Sequence, residues 1–276
     1  AFPPNGKPLV VVGNRARQMM KINPEGVIYD YKRLLGIKYD NPIVERMKKN
    51  VSFEIVDDGN NKPQVSVKQE GKEIRKYPEE ISAMILQELH KLVYEFALCD
   101  LRKVVMTVPV YFNEYQRQAT MNAGKMAGLD VVALISEPVA AAYAYADQNE
   151  ISVDNKDKII LIYDLGGSTF DVTIISETGM KLKVLGFDGD SFLGGNDFDT
   201  LLMDFMIDEF EEQMECKLTE RQRSKLRYKC EEAKITLKYL PETEITLGDV
   251  DVTLTRSRMD RLLKPLIQHS IDICDG

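Results

Sequence analysis

Cysteine and histidine are scarce in this sequence, and neither is arranged to hold a metal. Cys99, Cys216, Cys230 and Cys274 have no Cys-x-x-Cys spacing, and His90 and His269 complete no zinc-ligand pattern. A zinc or iron–sulfur site is therefore not expected, and the thiols fit a reducing compartment. No apolar run is long enough to span a membrane, and the N-terminus lacks the basic, apolar, small-residue order of a secretory signal. Cytoplasmic placement is the expectation. Net charge is −8, with no lysine- and arginine-rich run, so neither nucleic acid nor a membrane is an expected partner. The Walker pattern and the G-x-G-x-x-G fingerprint are both absent, which excludes two common ways of holding a nucleotide. The initiator methionine is absent as well. The chain starts Ala1-Phe2-Pro3-Pro4 and is expected to be a piece of a longer protein, with any targeting signal outside it.

What is present is a globular composition: 276 residues, 44% apolar and 29% charged, enough for one large domain or two lobes. Residues 1–78 read as a small α+β region, with a strand at Val10–Val12, a helical stretch from Asn14 to Lys21, and strands at Val51–Val56 and Val65–Val67. Tyr77-Pro-Glu-Glu80 opens a helix, with proline in the first turn and acids at the positive end of the dipole. Its stripe of Ile81, Met84, Ile85, Leu89, Leu92, Val93 and Phe96 predicts core packing. Alternating strands and helices follow up to residue 153: Val104–Val108, Glu114–Met126, Val131–Ile135 and Pro138–Ala146. They predict right-handed crossovers in a sheet covered on both faces, an α/β architecture. From 154 a second lobe is expected. Its β-meander runs to about 193, with a turn at Gly179. A helix–strand region follows over 194–276, with a helix from Glu220 to about Tyr239.

Three motifs carry chemistry. In Asp164-Leu-Gly-Gly-Ser-Thr-Phe-Asp171 a strand ends in an acid, and two glycines and two hydroxyl residues precede a second acid and strand. Glycines let backbone N–H groups approach an anion, and carboxylates hold a hydrated Mg2+. A plain Gly-Gly hairpin is the bland alternative, and the paired acids favour phosphate. Leu193-Gly-Gly-Asn-Asp197 opens a helix whose N-terminus is an anion site in principle, although an ordinary cap by Asn196 or Asp197 explains it when taken alone. Glu137-Pro138 puts a carboxylate at a strand's C-terminal end, where open α/β sheets bind ligands. Glu231 and Lys234 stand three apart on one helix, a spacing that is usually a solvated surface pair.

Together with Tyr29-Asp-Tyr-Lys-Arg-Leu-Leu-Gly36, Thr107-Val-Pro-Val-Tyr-Phe-Asn113, Gln116-Arg-Gln-Ala-Thr120 and Cys230-Glu-Glu-Ala-Lys234, these motifs resemble the nucleotide-binding domain of the seventy-kilodalton heat-shock chaperones. The resemblance implies an actin/sugar-kinase-like, ribonuclease H-like fold with two lobes around an ATP/ADP and Mg2+ cleft, here incomplete at both ends. It implies that Gly166, Gly167, Ser168 and Thr169 hold phosphates, with Gly194 and Gly195 near the nucleotide. Asp164 would bind Mg2+ through water, and Glu137 and Asp171 would position metal waters or the attacking water. Glu231 and Lys234 would approach ribose and adenine. Pro109 and Arg117 would belong to an interdomain switch. Arg17 falls where the family has a lysine that places the attacking water and γ-phosphate. Ser168, Asn196, Ile235 and Lys238 also depart from the pattern. The implied activity is ATP hydrolysis coupled to binding and release of unfolded polypeptides, with J-domain co-chaperones and nucleotide exchange factors as partners. The peptide-binding domain lies outside the chain. The piece alone is expected to bind ATP weakly. A non-hydrolysing nucleotide sensor or exchange-factor-like relative is the alternative. The strings Thr107–Asn113 and Gln116–Thr120 argue against a sugar kinase.

Overall fold

A computed structural model describes residues 1–4, 10–148, 158–178 and 181–276. Helix α1 (Asn14–Gln18) continues into 3-10 turns at Met19–Lys21, Pro24–Gly26 and Tyr31–Leu34. Helix α2 (Pro42–Asn50) starts where Asn41 accepts from the Ile43 N–H and Pro42 pre-sets φ. Strands β1 (Glu54–Asp57), β2 (Pro63–Gln69) and β3 (Lys72–Lys76) form an antiparallel sheet in that order. Val44, Met47, Ile55, Val65 and Val67 fill the core between α2 and this sheet. No strand forms at Val10–Val12. Ala1 and Val11 exchange only two backbone bonds, of 2.6 and 2.9 Å, and no ladder extends from them.

Helix α3 (Pro78–Ala97) opens with a capping box in which the Tyr77 N–H donates to Glu80 at 2.8 Å. Strand β4 (Lys103–Val108), helix α4 (Glu114–Met126) and strand β5 (Asp130–Ser136) form a parallel pair with its crossover. Helix α5 (Glu137–Gln148) follows directly. Strands β6 (Lys158–Leu165), β7 (Phe170–Thr178) and β8 (Lys181–Asp190) make the antiparallel meander. Gly179 and the boundary expected at 153/154 lie outside the described residues.

The last region comprises α6 (Gly195–Met214), α7 (Glu220–Thr236), the hairpin β9 (Glu242–Leu247) and β10 (Val250–Thr255), and α8 (Arg256–Asp275). Leu202, Met206, Phe210, Leu226, Leu237 and Leu254 form its core. Helix α7 ends at Thr236, short of Tyr239. There the Arg256 guanidinium collects the carbonyls of Leu237, Lys238 and Leu240, groups that a helix end leaves without partners.

The sheet covered on both faces is not found. Val105 in β4, Val132 in β5, and Ile159 and Leu161 in β6 are exposed. Along α3, Ile81 is buried, but Leu89, Leu92, Val93 and Phe96 are exposed, Phe96 to 93%. Periodicity marks the face suited to burial and says nothing of what covers it. Among the described residues β4 pairs only with β5 and β6 only with β7, so both keep unpaired edges.

Candidate functional site

The hairpin between β6 and β7 places Asp164 directly opposite Asp171. Its loop, Gly166 to Thr169, is closed by the Gly166 N–H donating to the Thr169 carbonyl at 2.9 Å. The N–H groups of Gly167, Ser168 and Thr169 have no acceptor among the described residues. Consecutive free N–H groups at a turn are an anion-binding arrangement. The loop is clamped from behind by the start of α6. The Gly195 N–H donates to the Gly166 carbonyl at 3.0 Å, and the Asn196 N–H to the Gly167 carbonyl at 2.7 Å. Two of the first N–H groups of α6 are thus committed to the hairpin and not to an anion of their own. Gly194 takes the N-cap position, rather than Asn196 or Asp197. A Cβ on Gly194 would lie 2.7 Å from the Gly167 carbonyl, so only glycine permits this approach.

Three carboxylates surround the hairpin. Glu137 begins α5 where β5 ends. Asp171 is 1% exposed, and neither of its carboxylate oxygens has a hydrogen-bond partner among the described residues. Burial, and then the charges of Glu137 and Asp164, push its pKa up from 3.8 to about 6. Lys32 and the nearby Val110 N–H act in the opposite direction. The Tyr111 hydroxyl is likewise raised, by burial first and Asp171 second, and has no partner in hydrogen-bond alignment. Unsatisfied buried carboxylate oxygens are costly and point to a missing partner. Among the described residues no three acidic, histidine or cysteine side chains converge closely enough to ligate a metal directly. A Mg2+ ion held through its own waters fits both observations, because Mg2+ keeps most of its hydration shell.

The cation beside these acids is Lys32. Its Nζ lies 2.9 Å from Glu137. Arg17, expected in that place, is not brought there. It sits on α1, bonds Glu231 of α7 at 2.7 Å and stacks 5.7 Å over Tyr228. Nothing in the sequence pattern of Tyr29–Gly36 singles out Lys32 for this place.

A family model described as Hsp70 protein matches residues 2–275. The chain belongs to the Hsp70 family. It is 36% identical over 273 residues to the heat shock 70 kDa protein 2 of Paracoccidioides lutzii, covering 95% of this chain and 41% of that protein. The chain thus spans less than half the length of that relative. Membership sets the fold as actin- and sugar-kinase-like, and nucleotide binding, generally with Mg2+, goes with the Hsp70 family.

In this Hsp70 chain Glu231 and Lys234 do not pair with each other. Lys234 lies 2.6 Å from Asp199 and donates to the Gly195 carbonyl at 3.1 Å, so it braces the helix start that clamps the hairpin. Glu231, Arg17, Tyr29, Arg227 and Tyr228 line a cavity of about 280 Å3 between α1 and α7. Pro109 is buried at the end of β4. The Arg117 Nε donates to the Phe112 carbonyl at 3.0 Å and thereby braces the turn that carries Tyr111 toward Asp171. Ile235 is exposed, 50% accessible, and makes no part of that cavity.

Proposed function

We propose that this chain is the ATP-binding region of a heat-shock chaperone that couples ATP binding and hydrolysis to binding and release of unfolded peptides. The supporting observation is the row of free N–H groups from Gly167 to Thr169 beside the unpartnered Asp171. Gly166, Gly167, Ser168 and Thr169 cradle phosphate oxygens, and Gly194 and Gly195 set the loop. Lys32 supplies positive charge where negative charge gathers. Asp164 and Glu137 would hold a hydrated Mg2+ through its waters. Asp171, with a pKa near 6, accepts hydrogen bonds or a proton from the attacking water near neutral pH. A bound Mg2+ would neutralise charge on the phosphates. Catalysis is then mostly positioning and electrostatics, as phosphoryl transfer generally is.

Glu231 and Lys234 border the nucleoside end of the cleft, and Pro109 and Arg117 couple the nucleotide state to the rest of the protein. Its partners are unfolded polypeptides, J-domain co-chaperones and nucleotide exchange factors. The four free cysteines, Cys99, Cys216, Cys230 and Cys274, fit the cytoplasm.

Single-turnover hydrolysis by the full-length protein tests this reading. Turnover abolished by Asp164→Asn supports it. Absence of turnover with nucleotide binding retained selects the sensor alternative instead, which Ser168 and Asn196 favour and Lys32 opposes.

A further inference from the structure

A second network crosses the cleft at the tip of the same hairpin. Ser168 stands where the family resemblance sets a third glycine. Its hydroxyl donates to Asp30 Oδ1 and accepts from the Asn196 side-chain amide at 3.3 Å. Its carbonyl accepts two N–H bonds from Arg33, at 3.1 Å from Nε and 2.5 Å from Nη2. Arg33 is 8% exposed. Its guanidinium also reaches Asp197 at 2.6 Å and Asp30 at 3.1 Å, and stacks 4.5 Å over Phe192. A buried guanidinium is stabilised only when its donors are engaged, and here they are.

Asp30 precedes, and Arg33 lies within, the 3-10 turn Tyr31–Leu34 of the first lobe. Ser168, Phe192 and Asp197 belong to the hairpin, the loop after β8 and α6. Asp30 is held at φ 57°, a left-handed conformation that aspartate tolerates better than most residues. Burial raises its pKa, while Arg33 and Ser168 counter that rise by favouring the carboxylate. One serine and one arginine therefore tie the two lobes together beside the phosphate loop.

We propose that Ser168 makes this hairpin a latched phosphate site. Without nucleotide, the Ser168 hydroxyl is committed to Asp30 and helps hold the lobes closed. A phosphate seated in the loop competes for the same proton. A hydroxyl has one proton to donate, so it serves Asp30 or the phosphate but not both. A glycine here has no hydroxyl and no such competition. The competition rests on the nucleotide reading given above, whereas the latch requires no nucleotide.

Two measurements on the full-length protein decide it, with Ser168→Gly and with Ser168→Ala. The alanine variant removes the hydroxyl without adding the backbone freedom of glycine. Spin labels at the exposed Lys49 and Glu212, in a Cys99→Ser, Cys216→Ser background, report the distance between lobes. Both variants should broaden the nucleotide-free distance distribution. Both should bind ADP about two- to tenfold more tightly, the worth of one hydrogen bond. An unchanged distance distribution would overturn the latch. Wild-type ADP binding that neither variant tightens would overturn the competition and leave the nucleotide reading standing. No ADP binding by any of the three proteins would overturn that reading, and the competition with it.

Discussion

Replacing Asp171 by asparagine should stabilise the ligand-free protein near neutral pH, and the gain should fade in acid. The cause is burial. The carboxyl's folded pKa stands at about 6 against 3.8 for an ordinary aspartate, so the folded state retains a proton that the unfolded chain releases. For an acid shifted upward, the associated stability is full below about pH 3.8 and is lost as pH rises through about 6. At about 1.4 kcal/mol for each tenfold change in the proton equilibrium, the charged form costs about 3 kcal/mol at pH 7.5. Solvent screens this charge little, since the residue is 1% exposed. Asp171→Asn removes the charge at nearly constant shape. The variant should therefore be more stable than the parent by up to about 3 kcal/mol at pH 7.5, and by about half of that at pH 5. Urea unfolding midpoints at the two pH values measure the difference. A second arm adds MgADP, whose coordinated waters satisfy the carboxylate, so the advantage of asparagine should shrink. A stability difference independent of pH, or one that grows toward pH 5, would refute the assignment of Asp171 as a buried, unpartnered charge.

Four further outcomes are expected. Lys32→Ala should slow single-turnover hydrolysis by about 100-fold or more, the usual loss of a charge-stabilising contact, whereas Arg17→Ala should change nucleotide release only a few-fold, as a half-exposed pair allows. Gly194→Ala should destabilise by about 1–3 kcal/mol through overlap with the Gly167 carbonyl, while Gly167→Ala, which meets open space, should stay within about 0.5 kcal/mol by thermal unfolding. Leu226→Ala, at a fully buried core position, should cost about 2–5 kcal/mol in the same assay. Ile159→Lys at the exposed β6 edge should lower concentration-dependent association of the isolated chain in sedimentation experiments without lowering its unfolding midpoint.

Contiguous chemistry was the legible part of this chain. Asp164 to Asp171 reads as a turn bearing acids because strand, glycines and carboxylates adjoin in sequence, and the register then sets the two acids face to face. The helix start at Tyr77–Glu80 and the crossover from β4 to β5 were legible for the same reason, since both depend on neighbours within a few residues. Lys32 was not legible, because a lysine beside an arginine reads as an ordinary solvated pair until the 3-10 turn aims it at Glu137, 105 positions away. Arg17 was misplaced because its partner, Glu231, lies on a helix that only tertiary packing brings near. Burial of α3 failed in the same way: its stripe is real, but half of it meets solvent.

The joint between the hairpin and α6 uses main-chain donors and acceptors, N–H of Gly195 and Asn196 to carbonyls of Gly166 and Gly167. Such bonds are blind to side-chain identity. The joint itself therefore does not depend on which side chain stands at position 196. Gly194 has no such latitude. Natural variation around this loop should then be lopsided, permissive at the amides that make the contact and strict at the glycine that gives them room.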